Sequence, residues 1–506
     1  METGTWITLG LYFALMLGIG LYSYRESTSD VSGYMLGGRK LGPAVASLSA
    51  GASDMSGWML LGLPGAMYLS GLSSAWIAIG LFLGALANYL IVAPRLRTYT
   101  VMANDAITIP DYFDKRFMDR SRLLRVISSL VIVVFFTLYT SSGLVAGGKL
   151  FESAFGLDYS WGLWITAGVV LAYTMVGGFM AVSLTDFVQG CIMFVALILV
   201  PIVALMQIGG VDAMTETVRG IDPGLLNLFE GATIISVISA MAWGLGYFGQ
   251  PHIIVRFMAV RSLKDVPAMR NIGMSWMLVT LIGALGTGLV GLAYATRMGV
   301  EVADAETIFI ILSDVLFHPL ITGFLLAAIL AAIMSTISSQ LLVSSSSLTE
   351  DFYSIFLRKN APQKELVMIG RLAVLAVSLA AIFLAYDPSN NVLGLVSNAW
   401  AGFGAAFGPL VILSLTWKRM TRNGALAGMI VGAVTVLVWI YAPVLADGQT
   451  LSQGSGVYEI VPGFILSWLA IWLVSMMGKP PGEDVQSTFE AVRQALHRNG
   501  EPETPH

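Results

Sequence analysis

An aspartate lies in the middle of an apolar segment near the start of the chain. Residues 49–57 read Ser-Ala-Gly-Ala-Ser-Asp-Met-Ser-Gly, so small residues flank Asp54 on both sides. Each glycine weakens a helix by roughly 1 kcal/mol, and a charge at mid-membrane costs about 2.5–3.5 kcal/mol or more. Isolated glycines in membrane helices usually serve close packing, but that explanation leaves Asp54 without a partner. We therefore expect a broken helix whose carboxylate is balanced by a cation.

A stripe of small and hydroxyl residues offers oxygen atoms to such a cation. Its members follow the i, i+3, i+4, i+7 spacing of one helical face and are Ala332, Ser335, Thr336 and Ser339. Hydroxyl groups, together with carbonyls released by a broken helix, suit a small hard cation that needs several oxygens. The alternative is that these hydroxyls only bond the preceding turn of their own helix.

A second break is expected where residues 243–251 read Trp-Gly-Leu-Gly-Tyr-Phe-Gly-Gln-Pro. Irregular backbone is tolerated at membrane depth only where it lines a cavity or is buried in protein. Tyr139, Trp243 and Tyr247 could line a substrate cavity beside this break. Membrane aromatics more often serve packing or interface anchoring, and that alternative stays open.

The composition assigns the chain to the membrane. Of 506 residues, 56% are apolar and 11% are charged, against roughly a quarter charged in soluble domains. The net charge of -4 argues against a nucleic-acid partner, and no phosphate-binding loop is present to drive a pump or an enzyme. His252 and His318 are expected at span ends without metal-ligand spacing, so no chemistry is assigned to them and no catalytic residue is predicted. Cys191 lies in an apolar run and is expected to be a buried thiol.

Runs of about 20 apolar residues predict an all-α polytopic protein of about 13 transmembrane helices. Their approximate limits are 5–24, 41–63, 66–92, 123–148, 161–180, 185–207, 232–250, 272–296, 318–347, 368–386, 392–416, 423–441 and 458–477. With the N-terminus outside and the C-terminus inside, 24 of the 27 Lys and Arg fall inside, leaving Lys149, Arg219 and Arg297 outside. That separation follows the positive-inside rule, and the basic residues around Arg256 are counted in an inside loop.

The two breaks each open a block of five spans, which is the sequence signature of an inverted-repeat transporter with discontinuous helices. An odd number of spans makes the two blocks insert in opposite orientations. The predicted division is an extra span and inside loop at 1–40, a first repeat at 41–207, an outside loop at 208–231, a second repeat at 232–416, two further spans at 417–478 and a polar cytoplasmic tail at 479–506. This tail is too short for a signalling domain, so a carrier is favoured over a receptor.

Long strings around both breaks resemble the sodium:solute symporter family. They include Leu-Gly-Gly-Arg at 36–39, Ser-Ala-Gly-Ala-Ser-Asp-Met-Ser-Gly-Trp at 49–58, Trp-Gly-Leu-Gly-Tyr-Phe-Gly-Gln-Pro-His at 243–252, Ala-Ala-Ile-Met-Ser-Thr at 331–336 and Ala-Trp-Ala-Gly-Phe-Gly-Ala-Ala-Phe-Gly-Pro at 399–409. The resemblance spans residues from about 10 to 478. It implies sodium-coupled symport of L-proline across a bacterial cytoplasmic membrane, with the lipid bilayer as solvent and no obligate protein partner.

The resemblance also implies roles for individual residues. Sodium would be held by the carbonyls of Ala52, Met55 and Ala332 and the hydroxyls of Ser335 and Thr336, with Asp54 as the acid on which binding depends. Proline would be bound by Ser56, Gly57, Tyr139, Trp243, Tyr247 and Pro251. Coupling and the inward ion route would involve Arg39 and Asp186, although Asp186 read from its position alone is a helix cap or dipole partner.

One position departs from the proline-transporting members of the family. Those members carry an acid before Ala75-Trp76, where this chain has Ser74. A sodium-coupled carrier of another small solute, such as pantothenate, a monocarboxylate or a sugar, is the remaining alternative, because the sodium site is common to the family.

Overall fold

The computed structural model describes residues 2–25, 30–387 and 391–498. Within these ranges the chain is helical, and its one β-type pairing is an isolated bridge between Leu41 and Val260. This confirms the predicted all-α class. A continuous helix satisfies its backbone hydrogen bonds within its own segment, as contact with lipid requires.

The α-helices are numbered here in chain order. The first ten are α1 Thr3–Tyr22, α2 Val31–Leu36, α3 Pro43–Asp54, α4 Leu63–Ser70, α5 Ala75–Met102, α6 Ile109–Phe117, α7 Leu123–Phe155, α8 Tyr159–Ile208, α9 Val211–Ile221 and α10 Ile234–Met241. The rest are α11 Pro251–Ala259, α12 Val266–Met298, α13 Ile308–Leu316, α14 Pro319–Ser346, α15 Gln363–Leu384, α16 Val392–Thr416, α17 Arg422–Tyr441, α18 Leu451–Ser455, α19 Ile460–Met477 and α20 Glu483–His497. Two wider π-helical segments lie at Trp58–Gly62 and Ser347–Leu357.

Ten helical segments of the described chain are long and apolar enough to cross a membrane. One of them, α8, has 50 residues and would be about 75 Å long if straight. It is interrupted at Gly178, whose φ of 61° and ψ of −151° are not helical. The interruption lies near the predicted end of the fifth span, 161–180, before the sixth span predicted at 185–207. The count of thirteen spans stays a prediction.

Both predicted breaks are present. The first separates α3 from the π-helical segment that begins at Trp58, and Met55 between them has φ −78° and ψ 77°. The second is a 3₁₀ segment, Ala242–Gly249, followed by extended backbone at Gln250 before α11 begins at Pro251. The predicted seventh span, 232–250, ends one residue before α11 begins at Pro251. The helix resumes after the proline, because a proline at the first helical position has no amide hydrogen bond to lose.

The two broken helices meet at one end of the protein. The Leu41 amide donates to Ala259 O at 3.2 Å, and the Arg261 amide donates to Leu41 O at 2.8 Å. The start of α3 is therefore tied to the end of α11, so the two half-helices run in opposite directions. Helix α14 lies at the centre, with Leu325 to Ser346 almost fully buried against α1, α3, α7 and α8.

The thiol of Cys191 was expected to be buried, and this expectation is wrong. Cys191 is exposed on the protein surface, beside Phe194 and Val195 on the outer face of α8. In a membrane protein an apolar run marks contact with lipid as readily as contact with the protein interior, so apolarity alone could not decide which side of the helix the thiol occupies.

Candidate functional site

The break in α3 releases backbone carbonyls inside the protein. The Ser56 amide, which would bond Ala52 O in a continuous helix, instead donates to Asp54 O at 2.9 Å. Likewise the Met59 amide donates to Ser56 O at 3.0 Å and not to Met55 O. The carbonyl oxygens of Ala52 and Met55 are thus free of their usual helical partners, and both residues are buried.

The hydroxyl stripe of α14 faces one of these carbonyls directly. The Ser335 hydroxyl donates to Ala52 O at 2.6 Å and lies 3.2 Å from Ala332 O. The Thr336 hydroxyl also lies 3.2 Å from Ala332 O. Four of the oxygen-bearing residues predicted to hold sodium therefore meet across the interface between α3 and α14. Within this interface the oxygens are neutral, which suits a monovalent hard cation.

The carboxylate of Asp54 points away from the stripe. Its Oδ2 accepts a hydrogen bond from the Tyr247 hydroxyl, and its Oδ1 has no hydrogen-bond partner although the residue is buried. A small cavity of about 30 Å³ lies against it, lined also by Asn88 and Tyr89. In the described residues no hydrogen bond joins this carboxylate to Ser335 or Thr336. The hydrogen bond between Tyr247 and Asp54 therefore connects the second break, at Ala242–Gly249, to the first break after α3.

The residues predicted to bind substrate lie around the same breaks and are buried. The Tyr247 ring meets the Trp400 ring edge-on at 5.0 Å, and the Trp400 indole donates to Trp243 O at 2.7 Å. The hydroxyl of Tyr139 is buried without a hydrogen-bond partner. A polar group that is buried and unpaired at the wall of a transporter core is available to a ligand.

Ser56, Gly57 and Pro251 shape the backbone on either side of this region. A Cβ added to Gly57 would lie 3.0 Å from Ala146 Cβ and 3.5 Å from Ile333 Cγ1, so only glycine fits without displacing a neighbour. Pro251 occupies the first position of α11. In the first turn of α11 the amides of Ile253 and Ile254 both donate to Gln250 O at 3.1 Å.

Asp186 belongs to a buried charged network that its sequence position did not suggest. Its Oδ2 lies 3.1 Å from Arg256 Nη2 and accepts from the hydroxyls of Ser49 at 2.8 Å and Ser53 at 3.1 Å. Arg256 also donates to Ser339 Oγ at 2.7 Å. The prediction that Arg256 lies in an inside loop is wrong, because α11 carries it back into the protein, where its charge is matched by Asp186.

His252 was expected at a span end, and this expectation is also wrong. It is fully buried at the start of α11, and its ring lies 5.2 Å from the Phe136 ring and 5.7 Å from the Tyr139 ring. Neither ring nitrogen has a hydrogen-bond partner. The missed signal was the proline before it, since a helix that begins at Pro251 places His252 on its first buried turn.

Arg39 lies in the turn that follows α2, at the end of the protein where α3 begins and α11 ends. We call this end, which also carries Arg261, the basic end. Its guanidinium donates to Asp105 Oδ1 at 2.8 Å, Met258 O at 2.6 Å and Ala106 O at 2.5 Å. Met258 is near the end of α11, so Arg39 connects the second broken helix to the loop after α5. Any movement of α11 relative to that loop must break these bonds.

Comparison with known proteins gives consistent results over almost the full length of the chain. The model of the sodium:solute symporter family matches residues 34–432. The osmoregulated proline transporter OpuE of Bacillus subtilis is 59% identical over 492 residues, covering 97% of this chain and 98% of that protein. The high-affinity proline transporter PutP of Bacillus subtilis is 58% identical, covering 95% of this chain and 100% of the relative. Sodium/proline symporter 2 of Staphylococcus saprophyticus is 55% identical, covering 97% and 96%.

Solved structures agree on the fold. A Na⁺-coupled sialic acid symporter in a substrate-bound outward-open state superposes with a TM-score of 0.80 at 19% identity, covering 95% of this chain and 99% of that one. The nucleobase-cation-symport-1 family transporter Mhp1 gives a TM-score of 0.57 at 12% identity, covering 91% and 98%. At these identities the likeness extends to the arrangement of the helices.

Proposed function

Because the chain belongs to the sodium:solute symporter family, we propose that it carries L-proline into a bacterial cell together with sodium, across the cytoplasmic membrane. The observation that carries this proposal is the end-to-end likeness to relatives named proline transporters and sodium/proline symporters. Those names favour proline over pantothenate or a monocarboxylate. One sodium ion crossing about 100 mV releases roughly 2.3 kcal/mol, which corresponds to about fiftyfold accumulation of a neutral zwitterion.

Sodium binds between α3 and α14 in this proposal. Its ligands are the carbonyls of Ala52, Met55 and Ala332 and the hydroxyls of Ser335 and Thr336. The support is the short contact of 2.6 Å between the Ser335 hydroxyl and Ala52 O, which brings oxygens from both helices together. A sodium ion entering here takes over both oxygens, and the hydroxyl proton rotates to another acceptor.

Asp54 contributes its charge from the other side of the break. Its carboxylate bonds Tyr247 and not the stripe, so in this geometry it is a neighbour of the ion and not a ligand atom. Electrostatic attraction does not need contact, because two unit charges interact over several ångströms in a poorly solvated site. Through Tyr247 the same carboxylate also connects the ion site to the proposed substrate site.

Proline binds beside the two breaks. Its carboxylate lies against the irregular backbone at Ser56 and Gly57, and its apolar ring lies against Trp243 and Tyr247. Tyr139, with a hydroxyl that is buried and unpaired, provides a further polar contact. A zwitterion with a small apolar ring needs this combination of fixed dipoles and aromatic surface.

We further propose thirteen spans, with the N-terminus outside and the C-terminus inside, and two inverted five-helix repeats at 41–207 and 232–416. The interruption of α8 at Gly178 supports two crossings where a 50-residue helix would be far too long for one. The start of α3 and the end of α11 are joined by the hydrogen bonds of Leu41 with Ala259 and Arg261, and these opposite helix directions support repeats of opposite orientation. The remaining units are 1–40, 208–231, 417–478 and the tail 479–506.

Asp186 and Arg39 lie on the inward side of the ion site in this topology. The Ser339 hydroxyl donates to Ser335 O at 2.8 Å and lies 2.8 Å from Ser53 Oγ, which in turn donates to Asp186. These groups form a polar path from the ion site toward the basic end of the protein. Arg39 then closes that end by holding the last turn of α11.

The decisive experiment is uptake into vesicles that contain the purified protein. Labelled L-proline and labelled pantothenate are compared under an imposed inward sodium gradient at constant pH, and proline uptake is also measured in sodium-free vesicles under an inward proton gradient. We expect proline to accumulate with sodium only. Strong accumulation under the proton gradient, with no gain from sodium, contradicts sodium coupling. Entry of pantothenate in place of proline contradicts the substrate.

A further inference from the structure

A second cavity lies outside the proposed proline site, at the end of the protein opposite the basic residues. It has a volume of about 430 Å³ and is open on one side, within the roughly 300–1,000 Å³ range of small-molecule pockets. Its lining includes Ser239, Trp243, Asn391, Ser397, Tyr458 and Glu459. In the proposed topology this end faces outward. Trp243 is common to both sites, so the cavity lies directly on the approach to the proline site.

Glu459 is a buried acid in the wall of this cavity. It precedes α19 and is only 4% exposed. Its Oε1 has no hydrogen-bond partner, and no ion pair joins it to a cation in the described residues. Burying a carboxylate is unfavourable unless the charge is paired. A carboxylate that borders an open cavity, with no protein cation beside it in the described residues, is therefore suited to a cation that arrives from solution.

A neighbouring acid, Glu306, also has one buried oxygen without a hydrogen-bond partner in the described residues, but it has a lysine beside its other oxygen. Oε1 of Glu306 accepts a hydrogen bond from the side-chain Nδ2 of Asn391 at 3.2 Å and lies 3.7 Å from the Lys149 Nζ. Burial raises the pKa of the Glu306 carboxyl, and the nearby Lys149 opposes that rise. These contacts hold Asn391 at the edge of the cavity. Glu459 has no corresponding lysine, although it is as deeply buried.

Two aromatic rings, those of Trp243 and Tyr458, form part of the cavity wall. The Tyr458 ring lies 5.2 Å from the Trp243 ring at 58°. Tyr458 is held at both ends, since its hydroxyl donates to Ser397 O at 2.6 Å and its amide donates to Ser239 Oγ at 3.1 Å. A carboxylate beside aromatic faces matches an organic ammonium, which is attracted by both.

We propose that this outer cavity is a first binding site for the ammonium group of the incoming amino acid, with Glu459 as its counter-ion and Trp243 and Tyr458 as its aromatic wall. The inference rests on the proposed function, because it assumes a zwitterionic substrate that enters from this end. The site raises the local concentration of substrate next to Trp243. Its contribution is therefore greatest when proline is scarce and small when proline is saturating.

The test uses the full-length protein in vesicles, with Glu459→Gln compared with the wild type. At limiting proline we expect uptake to fall roughly three- to tenfold, the effect of losing one charged contact at a partly exposed site. At saturating proline we expect a change of less than about twofold on the same reasoning. Glu216→Gln removes an exposed acid on α9 and is the matched control for outer surface charge. It should behave as the wild type.

Two probes separate the ammonium from the carboxylate. External pyrrolidine, which has the ring and ammonium alone, should inhibit proline uptake by the wild type and much less by Glu459→Gln. Tetrahydrofuran-2-carboxylate, which lacks the ammonium, should inhibit both proteins equally. If Glu459→Gln does not reach the membrane, Tyr458→Phe and Tyr458→Leu replace it, and pyrrolidine inhibition should persist in the first and weaken in the second.

Equal pyrrolidine inhibition of the wild type and of Glu459→Gln (or of Tyr458→Leu, where that variant replaces it), with unchanged uptake at limiting proline, would overturn the inference. That result leaves the proposed function intact, because the wild type still transports proline with sodium in the same experiment. Failure of the wild type to transport proline overturns the proposed function itself. The two failures are therefore distinguishable in one set of vesicles.

Discussion

Replacing Ser335 by alanine removes the side-chain oxygen that joins α14 to the Ala52 carbonyl of α3 in the proposed sodium site. Its hydroxyl donates to Ala52 O at 2.6 Å on α3 and lies 3.2 Å from Ala332 O on its own helix. The residue is fully buried, so water cannot take the place of the lost oxygen without a cavity forming. The substitution therefore acts on the site with and without sodium, and both states enter the expected effect.

The magnitude follows from the difference between those two states. With sodium bound, the variant loses a contact to a charged partner, worth about 1.5–3 kcal/mol. Without sodium it loses a neutral hydrogen bond to the Ala52 carbonyl, worth about 0.5–1.5 kcal/mol. Sodium binding should therefore weaken by about 1–2 kcal/mol, which is roughly a five- to thirtyfold rise in the sodium concentration for half-maximal uptake.

The assay is initial proline uptake into vesicles over a range of external sodium, at fixed potential and pH. Ser346→Ala is the matched control, because Ser346 lies on the same helix and its hydroxyl bonds only Leu342 O at 2.8 Å. It should leave the sodium dependence unchanged. Proline affinity of the Ser335 variant, measured at saturating sodium, should stay close to that of the wild type.

A particular result would refute the reasoning. If the sodium dependence of Ser335→Ala matched that of the wild type while proline affinity fell, the hydroxyl would belong to the substrate site. If neither changed, the contact with Ala52 would serve helix packing alone, the alternative already open from the sequence.

Three further substitutions test other parts of the site. Asp54→Asn keeps the shape of the side chain but removes its charge, and we expect sodium-driven uptake to be nearly abolished with normal protein in the membrane; near-normal uptake at low sodium contradicts a role for that charge. Gly57→Ala brings a Cβ to 3.0 Å from Ala146 Cβ. The resulting overpacking should cost about 1–3 kcal/mol of stability at the site, and we expect lower proline affinity in a binding assay. Arg256→Met leaves the charge of Asp186 buried and unpaired, so the free energy of unfolding, measured by thermal unfolding in detergent, should fall by about 3–5 kcal/mol. Adding Asp186→Leu should restore part of that stability. No recovery in the double variant argues against the pairing.

The features that the sequence could predict are those that violate the ordinary rules of a membrane helix. An acid among glycines at Asp54 and a proline after three glycines at Pro251 have no place in a plain membrane anchor, and both mark interruptions in the structure. The spacing of Ser335 and Thr336 likewise predicted one helical face, and both hydroxyls meet carbonyls there. Local chemistry was enough because each of these signals depends on neighbours within a few residues.

Long-range pairing could not be predicted in this way. Arg256 and Asp186 are 70 residues apart and were assigned separately, one to a loop and one to a helix end, yet they form one buried pair. Each residue alone has an ordinary explanation at a membrane surface. Only the return of α11 into the protein brings them together. A search for apolar spans does not recognise α11, because this half-helix carries His252 and Arg256.

The first break offers a physical basis for coupling between ion and substrate. Over six residues the same stretch of backbone presents Ala52 O to the hydroxyl of Ser335 and brings Gly57 against Ala146 near the proposed proline site. An ion that fixes the Ala52 carbonyl restricts the amides around Ser56 and Gly57, so part of the entropy that proline would lose in ordering them has already been lost. By linkage, proline must then tighten sodium binding by the same factor. A continuous helix could not do this, because its carbonyls and amides are already committed to one another.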